Sequence, residues 1–389
     1  VSAAMREMGE QFVLGETISE AVRNGRSMVR RGYTYSYDML GEAARTEADA
    51  LRYFAAYREA VHSLASEATS GDIRLNPGIS VKLSALHPRY EVSQREAMLP
   101  HMCARLLELC QDAKKARMGL NIDAEEADRL DLSLDIIERV LADASLEAWD
   151  GFGVVVQAYG RRAPFVIDWL HALAGKLDRR IMIRLVKGAY WDTEIKRAQV
   201  QGLPGYPVFT RKVNTDVSYI ACARKLFGMT DRIYPQFATH NAHTVAAILS
   251  LSGGDYSKFE FQRLHGMGEA LHDIIHRRHN TRCRIYAPVG AHEDLLAYLV
   301  RRLLENGANS SFVHQILDES VSAEEIARDP FEVAFGGQPV VNPAIPRPAD
   351  IFEPQRRNSK GWDLTDPITL EELDRIRQPF AAPHPWRVE

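Results

Sequence analysis

Short apolar runs alternate with helical patterns along most of the chain. Between Tyr33 and Asn306 a short apolar run gives way to a helical pattern eight times. The runs are YSYDML, ISVKLSAL, GLNIDAEE, FGVVVQAY, IMIRLVKG, IYPQFATH, FEFQRLHG and CRIYAPVG. Eight strand–helix units are what a closed barrel requires, and the active sites of such barrels lie at the carboxyl ends of the strands. The pattern therefore predicts an α/β fold, a TIM-like (βα)8 barrel.

The barrel pattern is flanked by segments of different character. Residues 1–32 are interpreted as an N-terminal helical arm, in which MREMGEQFVLGETISEAVRN forms an amphipathic helix. Residues 33–319 form the barrel, and the proline-rich residues 320–389 form an extended connector with a short helix around LEELDRIR. Residues 189–219 follow the fifth run. We interpret them as an unusually long loop that covers a cofactor, and a plain insertion is the alternative.

Composition narrows the class of protein. A net charge of −4 gives no reason to expect nucleic acid as a partner. No apolar run is long enough to span a bilayer, and no signal peptide pattern opens the chain. The four cysteines lack CxxC spacing, which favours a reducing, cytoplasmic setting. No metal site is expected, because the paired histidines lack nearby cysteine or acidic ligands.

Polar residues recur where the strand runs end. Alternation within ISVKLSAL places Ser80, Lys82 and Ser84 on one face. Asp123, Arg184 and other polar residues extend this pattern to further strands; the full set is Lys82, Asp123, Gln157, Arg184, Thr239, Gln262 and Tyr286. Barrel interiors are normally filled by branched apolar side chains, so this pattern favours a polar ligand at the barrel mouth. The alternative is a network in which Asp123 only neutralises Lys82 or Arg184.

The last helical pattern, HEDLLAYLVRRLLENGAN, carries a second group of polar residues. Tyr298, Arg301, Arg302 and Glu305 fall on one side at separations of three and four residues. Adjacent guanidinium groups suit a carboxylate ligand. A solvated face with an Arg301–Glu305 ion pair explains the same spacing, so the sequence leaves both interpretations open.

The residue pattern alone also leaves two other functions open. Lys82 and Lys187 both lie near strand ends, as a Schiff-base aldolase would require. A non-catalytic assembly module, with contacts made by the arm and the proline-rich tail, is a candidate from another class.

Longer motifs extend over nearly the whole chain in one consistent order. They are SVKLSALHPRYE, NIDAEEADRLDLSLDIIE, RLVKGAYWDTEIK, QFATHNAHT, FEFQRLHGMGE, RIYAPVG and YLVRRLLENGANSSFV. These runs resemble the proline dehydrogenase family, and more closely the proline dehydrogenase module of bifunctional proline utilization A. The resemblance implies a distorted (βα)8 barrel that binds FAD, with the last helix over the barrel mouth.

The resemblance also implies roles for individual residues. Lys82, Arg301 and Arg302 would hold the carboxylate of L-proline, and Tyr286, Tyr298 and Leu264 would pack around its ring. Asp123 would organise the pocket, and Arg184 would lie beside the reactive ring nitrogen of FAD. The further cofactor contacts implied are Ala124, Gln157, Val186, Lys187, Gly188, Ala189, Tyr190, Trp191, Thr239, His240, Asn241, Gln262, Leu264 and Glu305.

At the level of domains, the resemblance implies an excised part of a longer protein. NSKGWDLTDPITLEEL looks like the joint to an aldehyde dehydrogenase half, which the sequence lacks along with the DNA-binding segment of some members. The implied reaction is oxidation of L-proline to Δ1-pyrroline-5-carboxylate, with electrons passed to a membrane quinone. We therefore expect a cytoplasmic protein that contacts the inner face of the cytoplasmic membrane peripherally.

Overall fold

A computed structural model describes residues 12–291, 298–301, 322, 324, 327–337 and 339–380. Eight parallel strands pair in chain order, and β1 closes the barrel against β8. The strands are β1 Thr34–Met39, β2 Gly78–Val81, β3 Gly119–Ile122, β4 Phe152–Gln157, β5 Ile181–Val186, β6 Ile233–Ala238, β7 Glu260–Leu264 and β8 Cys283–Val289. Each begins within two residues of a run identified in the sequence. The predicted (βα)8 barrel is confirmed.

Helices follow the strands and cover the barrel. They are α1 Ile18–Arg30, α2 Glu47–Leu64, α3 Arg95–Lys115, α4 Leu130–Leu141, α5 Ala163–Lys176, α6 Trp191–Gln201, α7 Lys212–Phe227, α8 Ala242–Leu251, α9 Glu269–His279, α10 Pro330–Phe335 and α11 Pro367–Arg377. Helix α2 begins with a capping box, in which Thr46 and Asp49 each accept a hydrogen bond from the other's backbone N–H. Such caps stabilise a helix by about 1 kcal/mol. Among the described helices none is long and apolar enough to cross a bilayer.

The N-terminal helix begins later than the sequence pattern predicted. Residues 13–17 are not helical, because Leu14 N donates to the Pro288 carbonyl and Gly15 forms a bridge with Val289. Thr17 then caps α1 by accepting a hydrogen bond from Glu20 N. The strand-like contact with β8 outweighs the helical periodicity of this segment. The earlier part of the predicted helix lies outside the described residues.

The interpretation of residues 189–219 as a long loop is wrong. The segment forms α6 and the start of α7, which are joined by residues 202–211; Gly202, with a φ of +61°, caps the end of α6. Asp192 and Glu194 in the first turn of α6 are favourable at a helix N-terminus. The non-helical part, residues 202–211, begins around Leu203–Pro204–Gly205, so the segment is two helices joined by a ten-residue connection and not one long loop.

The interior of the barrel is polar from its floor to its mouth. Alternation directs apolar residues such as Ile79 and Val81 toward the helices and their neighbours into the lumen. Buried lumen side chains that carry charges or hydrogen-bonding groups are Ser36, Asp38, Ser80, Lys82, Asn121, Arg184, Gln236, Glu260, Gln262 and Arg284. Strand β2 ends at Val81, so Ser84 is not on its lumen face as predicted. It lies in a 3₁₀ turn, where its hydroxyl accepts a hydrogen bond from Ala43 N.

Residues 339–361, here called the strap, run along α6 and α7. Most of the hydrogen bonds that hold the strap against these helices use main-chain atoms of the strap. Arg211, Asn214 and Tyr206 donate to the carbonyls of Pro339, Val340 and Pro346 in turn. Gly361 N donates to the Gly202 carbonyl. The strap is followed by α11, a helix near the predicted LEELDRIR segment.

Candidate active site

Lys82 lies at the centre of a buried ion-pair cluster at the carboxyl ends of β1 to β3. Its Nζ donates to Asp38 Oδ1 at 2.8 Å and lies 3.4 Å from Asp123 Oδ2. The Tyr286 hydroxyl accepts a further hydrogen bond from Nζ at 3.3 Å. Burial alone would lower the pKa of Lys82, but the two carboxylates outweigh it and hold that pKa well above its usual value. The ion pairs therefore favour the protonated form of Lys82.

Asp38 was not identified from the sequence. It is fully buried on β1, and its Oδ2 has no hydrogen-bond partner among the described residues. The signal was present in YSYDML, because alternation places Ser36 and Asp38 on one face. The tyrosines between them made the run look like an ordinary half-buried strand. This Asp38 oxygen beside Lys82 is an acceptor that the described side chains leave unused.

Arg184 is held in the lumen by four hydrogen bonds. Nε donates to Gln262 Oε1 at 2.6 Å, and Nη1 donates to Asp123 Oδ1 at 2.9 Å. Nη2 donates to the hydroxyls of Ser36 and Ser80 at 3.1 and 3.0 Å. A guanidinium has five N–H bonds. One N–H on Nη1 therefore has no partner within the described part of the chain, and it can donate to a ligand.

Asp123 connects the two cations, whereas the network alternative had paired it with Lys82 or with Arg184. One oxygen accepts from Arg184, and the other accepts from the Tyr286 hydroxyl at 2.8 Å. The Arg184 guanidinium lies 5.1 Å from the centre of the Tyr286 ring, within cation–π range. The lumen charges do neutralise one another. The Asp38 oxygen and the remaining Arg184 N–H nevertheless provide an acceptor and a donor that the network does not use.

Arg301 forms a two-pronged ion pair with Glu42, a residue the sequence analysis missed. Nη1 and Nη2 donate to the two Glu42 oxygens at 2.6 and 2.7 Å. The guanidinium also lies 5.3 Å from the centre of the Tyr190 ring. Glu42 shows that Arg301 can grip a carboxylate at the mouth in bidentate geometry. Arg302 and Glu305 lie outside the described residues.

An apolar wall adjoins these cations. Tyr298 is buried in a small cluster against which Leu264 and Tyr286 pack. The other members of this cluster are Phe12, Val13, Leu40, Met267 and Leu299. The structure thus brings together the three side chains that were predicted to pack around a substrate ring, although they come from β7, β8 and the helical residues 298–301.

The first group of residues predicted to contact a cofactor lies at the ends of β3 to β5. Gln157 Nε2 donates to the Glu125 carbonyl at 2.8 Å, and its Oε1 accepts from Ala189 N at 3.4 Å. Trp191 Nε1 donates to the Phe209 carbonyl, which fixes the indole at the start of α6. The others in this group are Ala124, Val186, Lys187, Gly188 and Tyr190. Lys187 pairs with Asp216, and Gly188 has a φ of +136°. They remain predicted contacts.

The remaining predicted cofactor contacts lie at the ends of β6 and β7. Thr239 Oγ1 accepts from Asn241 N, and Asn241 caps α8 through Thr244 N. His240 Nε2 accepts from Leu264 N at 3.0 Å. Gln262 differs from the rest, because its side-chain oxygen binds Arg184 and its NH2 group binds Glu260. In the described structure it therefore acts on Arg184.

A narrow cleft opens beside the cluster, between β3, β4 and the helices that follow them. It holds about 70 Å³ and is lined in part by Asp123, Ala124 and Gln157. Ligand pockets usually hold about 300 Å³ or more. A flavin ring would therefore enter here only if lining side chains moved apart.

Glu125 is a buried acid at the edge of this cleft. Burial raises the pKa of Glu125 to about 7, although Arg129 acts in the opposite direction. Its carboxylate accepts a hydrogen bond from Ser84 N at 3.1 Å. A carboxyl group with a pKa near neutrality can take up or release a proton at working pH. The sequence placed Glu125 in NIDAEE but gave no sign of its burial.

Comparisons with known proteins agree with this geometry. A family model described as proline dehydrogenase matches residues 21–315. The bifunctional protein PutA of Klebsiella aerogenes is 53% identical over 400 residues, which cover 100% of this chain and 30% of that protein. Proline dehydrogenase 1 of Bacillus subtilis (strain 168) is 28% identical over 306 residues, or 78% of this chain and 88% of that protein.

Solved structures show the same relationship. The crystal structure of a bifunctional proline utilization A protein has a TM-score of 0.92 at 52% identity, covering 99% of this chain and 39% of that one. A mutant of proline utilization A from Bradyrhizobium japonicum has a TM-score of 0.89 at 53% identity, covering 96% and 38%. The chain thus spans about a third of the length of its bifunctional relatives. With a family match over residues 21–315 and a barrel of the same architecture, the chain belongs to the proline dehydrogenase family.

Proposed function

We propose that this chain oxidises L-proline to Δ1-pyrroline-5-carboxylate with FAD as its cofactor, and that electrons pass on to a membrane quinone. The observation that carries the proposal is the set of cations around one mouth, Lys82, Arg184 and Arg301, next to the apolar wall of Tyr286, Tyr298 and Leu264. Proline presents this combination of groups to a binding site, a carboxylate attached to an apolar ring. Membership of the proline dehydrogenase family supports the same assignment.

The cations would fix the substrate by its carboxylate. Lys82 stays protonated beside Asp38, and Arg301 exchanges Glu42 for the carboxylate of proline, with Arg302 as the neighbouring guanidinium. Binding at one end of the ring selects which ring carbon faces the cofactor, and such positioning accounts for a large part of catalysis. The apolar wall excludes water from the other side of the ring.

The donor set of the site fits a flavin. The remaining Arg184 N–H and the amide of Gln157 lie at the mouth, where hydrogen-bond donors suit the polar edge of such a ring. FAD supplies the hydride acceptor, and the protein supplies orientation and electrostatics. With FAD bound, the positive charge of Arg184 would stabilise negative charge on the reduced ring. Asp123 keeps Arg184 at the position from which it can do so.

The Schiff-base aldolase is disfavoured by the ion pairs of both candidate lysines. Schiff-base chemistry needs a neutral amine, which proteins obtain by lowering the pKa of lysine. Lys82 has the opposite shift, and Lys187 is paired with Asp216. The assembly-module alternative gives no reason for a buried layer of cations at one end of a barrel.

Parts of the proposal concern the longer protein. The bifunctional relatives extend well beyond the matched region, and we propose that an aldehyde dehydrogenase half accompanies this chain and consumes its product. Transfer of electrons to a membrane quinone implies that the protein binds peripherally to the inner face of the cytoplasmic membrane. Nucleic acid is not proposed as a partner of this part of the protein.

An absorbance spectrum of the purified chain tests cofactor, substrate and reaction together. We expect a yellow protein whose flavin absorbance bleaches when L-proline is added without oxygen, and which is unchanged by D-proline. A colourless chain that does not bind added FAD would refute the proposal. Borohydride trapping of a carbonyl compound on Lys82 would instead favour the aldolase.

A further inference from the structure

A chain of hydrogen bonds runs from the floor of the barrel to Arg184. Glu260 Oε1 accepts three of them, from Arg284 Nε at 2.8 Å, Gln236 Nε2 at 3.0 Å and Gln262 Nε2 at 2.8 Å. Gln262 Oε1 in turn accepts from Arg184 Nε at 2.6 Å. Glu260 and Gln262 are 0% and 1% exposed, so no water competes for these bonds.

The carboxylate of Glu260 determines which way each hydrogen bond in this series points. An ionised carboxylate can only accept hydrogen bonds, so Gln262 must turn its NH2 group toward Glu260. The side-chain oxygen of Gln262 is then forced to face Arg184. With the amide turned the other way, the NH2 group would meet Arg184 Nε, and two donors would oppose each other.

Arg284 holds the Glu260 side chain in place. Its Nε and Nη2 both bind the Glu260 carboxylate. Its other N–H bonds go to the carbonyls of Tyr35, Asn76 and Arg74. A buried carboxylate without such a partner would cost several kcal/mol. The pair at the floor is therefore a fixed base for the hydrogen bonds above it.

We propose that Glu260, acting through Gln262, is a positioning residue that orients Arg184 toward the flavin. Three sides of the Arg184 guanidinium are then held, by Gln262, by Asp123 and by the hydroxyls of Ser36 and Ser80. One N–H on Nη1 then remains without a partner among the described residues, and the four other bonds fix its direction. This inference rests on the proposed function, because it assigns a purpose to the orientation of Arg184.

Two glutamines of the barrel provide a matched test. Gln236 and Gln262 are both 1% exposed and both donate to Glu260 Oε1, but only Gln262 touches Arg184. Gln262→Met and Gln236→Met remove comparable groups from the same network. The readout is the flavin reduction potential of the FAD-loaded protein, titrated against redox dyes without proline. The melting temperature of each variant measures structural damage separately.

We expect both variants to melt at lower temperature and only Gln262→Met to lower the potential. The expected change is about tenfold in the equilibrium constant for flavin reduction, or about 30 mV for a two-electron couple. Glu260→Gln, which keeps the shape of the side chain, should lower the potential in the same direction because it permits Gln262 to turn. Glu260→Gln also tests the positioning role if Gln262→Met does not fold.

The outcomes separate this inference from the proposed function. Equal potentials in the wild type and Gln262→Met, or equal shifts in both methionine variants, would overturn the positioning role. If proline still bleaches the wild-type flavin in those cases, the proposed function stands. A wild-type chain that takes up no FAD would overturn both.

Discussion

Asp38→Asn is the substitution that most directly tests how the buried charges of the site stabilise the protein. It removes one negative charge and almost no volume from a fully buried position. Lys82 Nζ, which lies 2.8 Å from Asp38 Oδ1, would lose its nearest counter-charge. Asp123 at 3.4 Å and the Tyr286 hydroxyl at 3.3 Å would remain as partners.

The expected loss of stability follows from the burial of the pair. Removing one partner of a buried ion pair costs about 3–5 kcal/mol, because the other charge is left unpaired. Since Asp123 still lies near Lys82, we expect a value near the lower end, about 3 kcal/mol. With a urea m-value of about 3 kcal/mol/M, the unfolding midpoint would fall by about 1 M.

Equilibrium urea unfolding, followed by circular dichroism, measures this change. The double variant Asp38→Asn with Lys82→Met should be less destabilised than the sum of the two single variants, because it removes both charges together. Asp231→Asn is the control, since Asp231 is an exposed acid whose loss should leave the midpoint unchanged. Strict additivity in the double variant, or a wild-type midpoint for Asp38→Asn, would refute the reasoning.

Three further predictions concern the mouth of the barrel. Glu42→Gln should lower the apparent Kd for proline about tenfold, because Arg301 no longer has to leave a bidentate carboxylate. Arg301→Ala should raise that Kd. Weaker proline binding by Glu42→Gln in an equilibrium titration would contradict this prediction. Arg184→Met should change the flavin spectrum and lower its reduction potential, and a spectrum and potential identical to the wild type would contradict the position of Arg184 beside the ring. Because burial raises the pKa of Glu125 from 4.5 to about 7, its contribution to stability is full below pH 4.5 and is lost as pH rises through 7. Relative to Glu125→Gln, the wild type should lose about 3 kcal/mol over that interval in urea unfolding, and parallel pH profiles would rule this out.

The sequence predicted the barrel well because strand and helix periods are local properties. Each strand run is short, apolar and followed by a helical pattern, so every strand was found. The late start of α1 came from a contact made at a distance in sequence. Gly15 bridges Val289 and thereby shortens α1, which no periodicity within residues 12–30 could indicate.

The candidate site was predicted in part for the same reason. Lys82, Asp123 and Arg184 were found because polar residues recur where successive strand runs end. Asp38 and Glu42 were missed, since the importance of each depends on a partner far along the chain, Lys82 for one and Arg301 for the other. Glu260 was missed because two of its partners, Gln236 and Arg284, come from neighbouring strands that are distant in sequence.

The way in which the strap is attached has a consequence for how this region can vary among relatives. Since Pro339, Val340 and Pro346 contribute carbonyl groups, replacement of their side chains leaves the anchoring bonds intact, and substitutions should accumulate there freely. Gly202 and Gly361 are the exceptions. A methyl group on either would overlap a carbonyl oxygen of the opposite segment. Both positions should therefore remain glycine in relatives, while the residues around them vary.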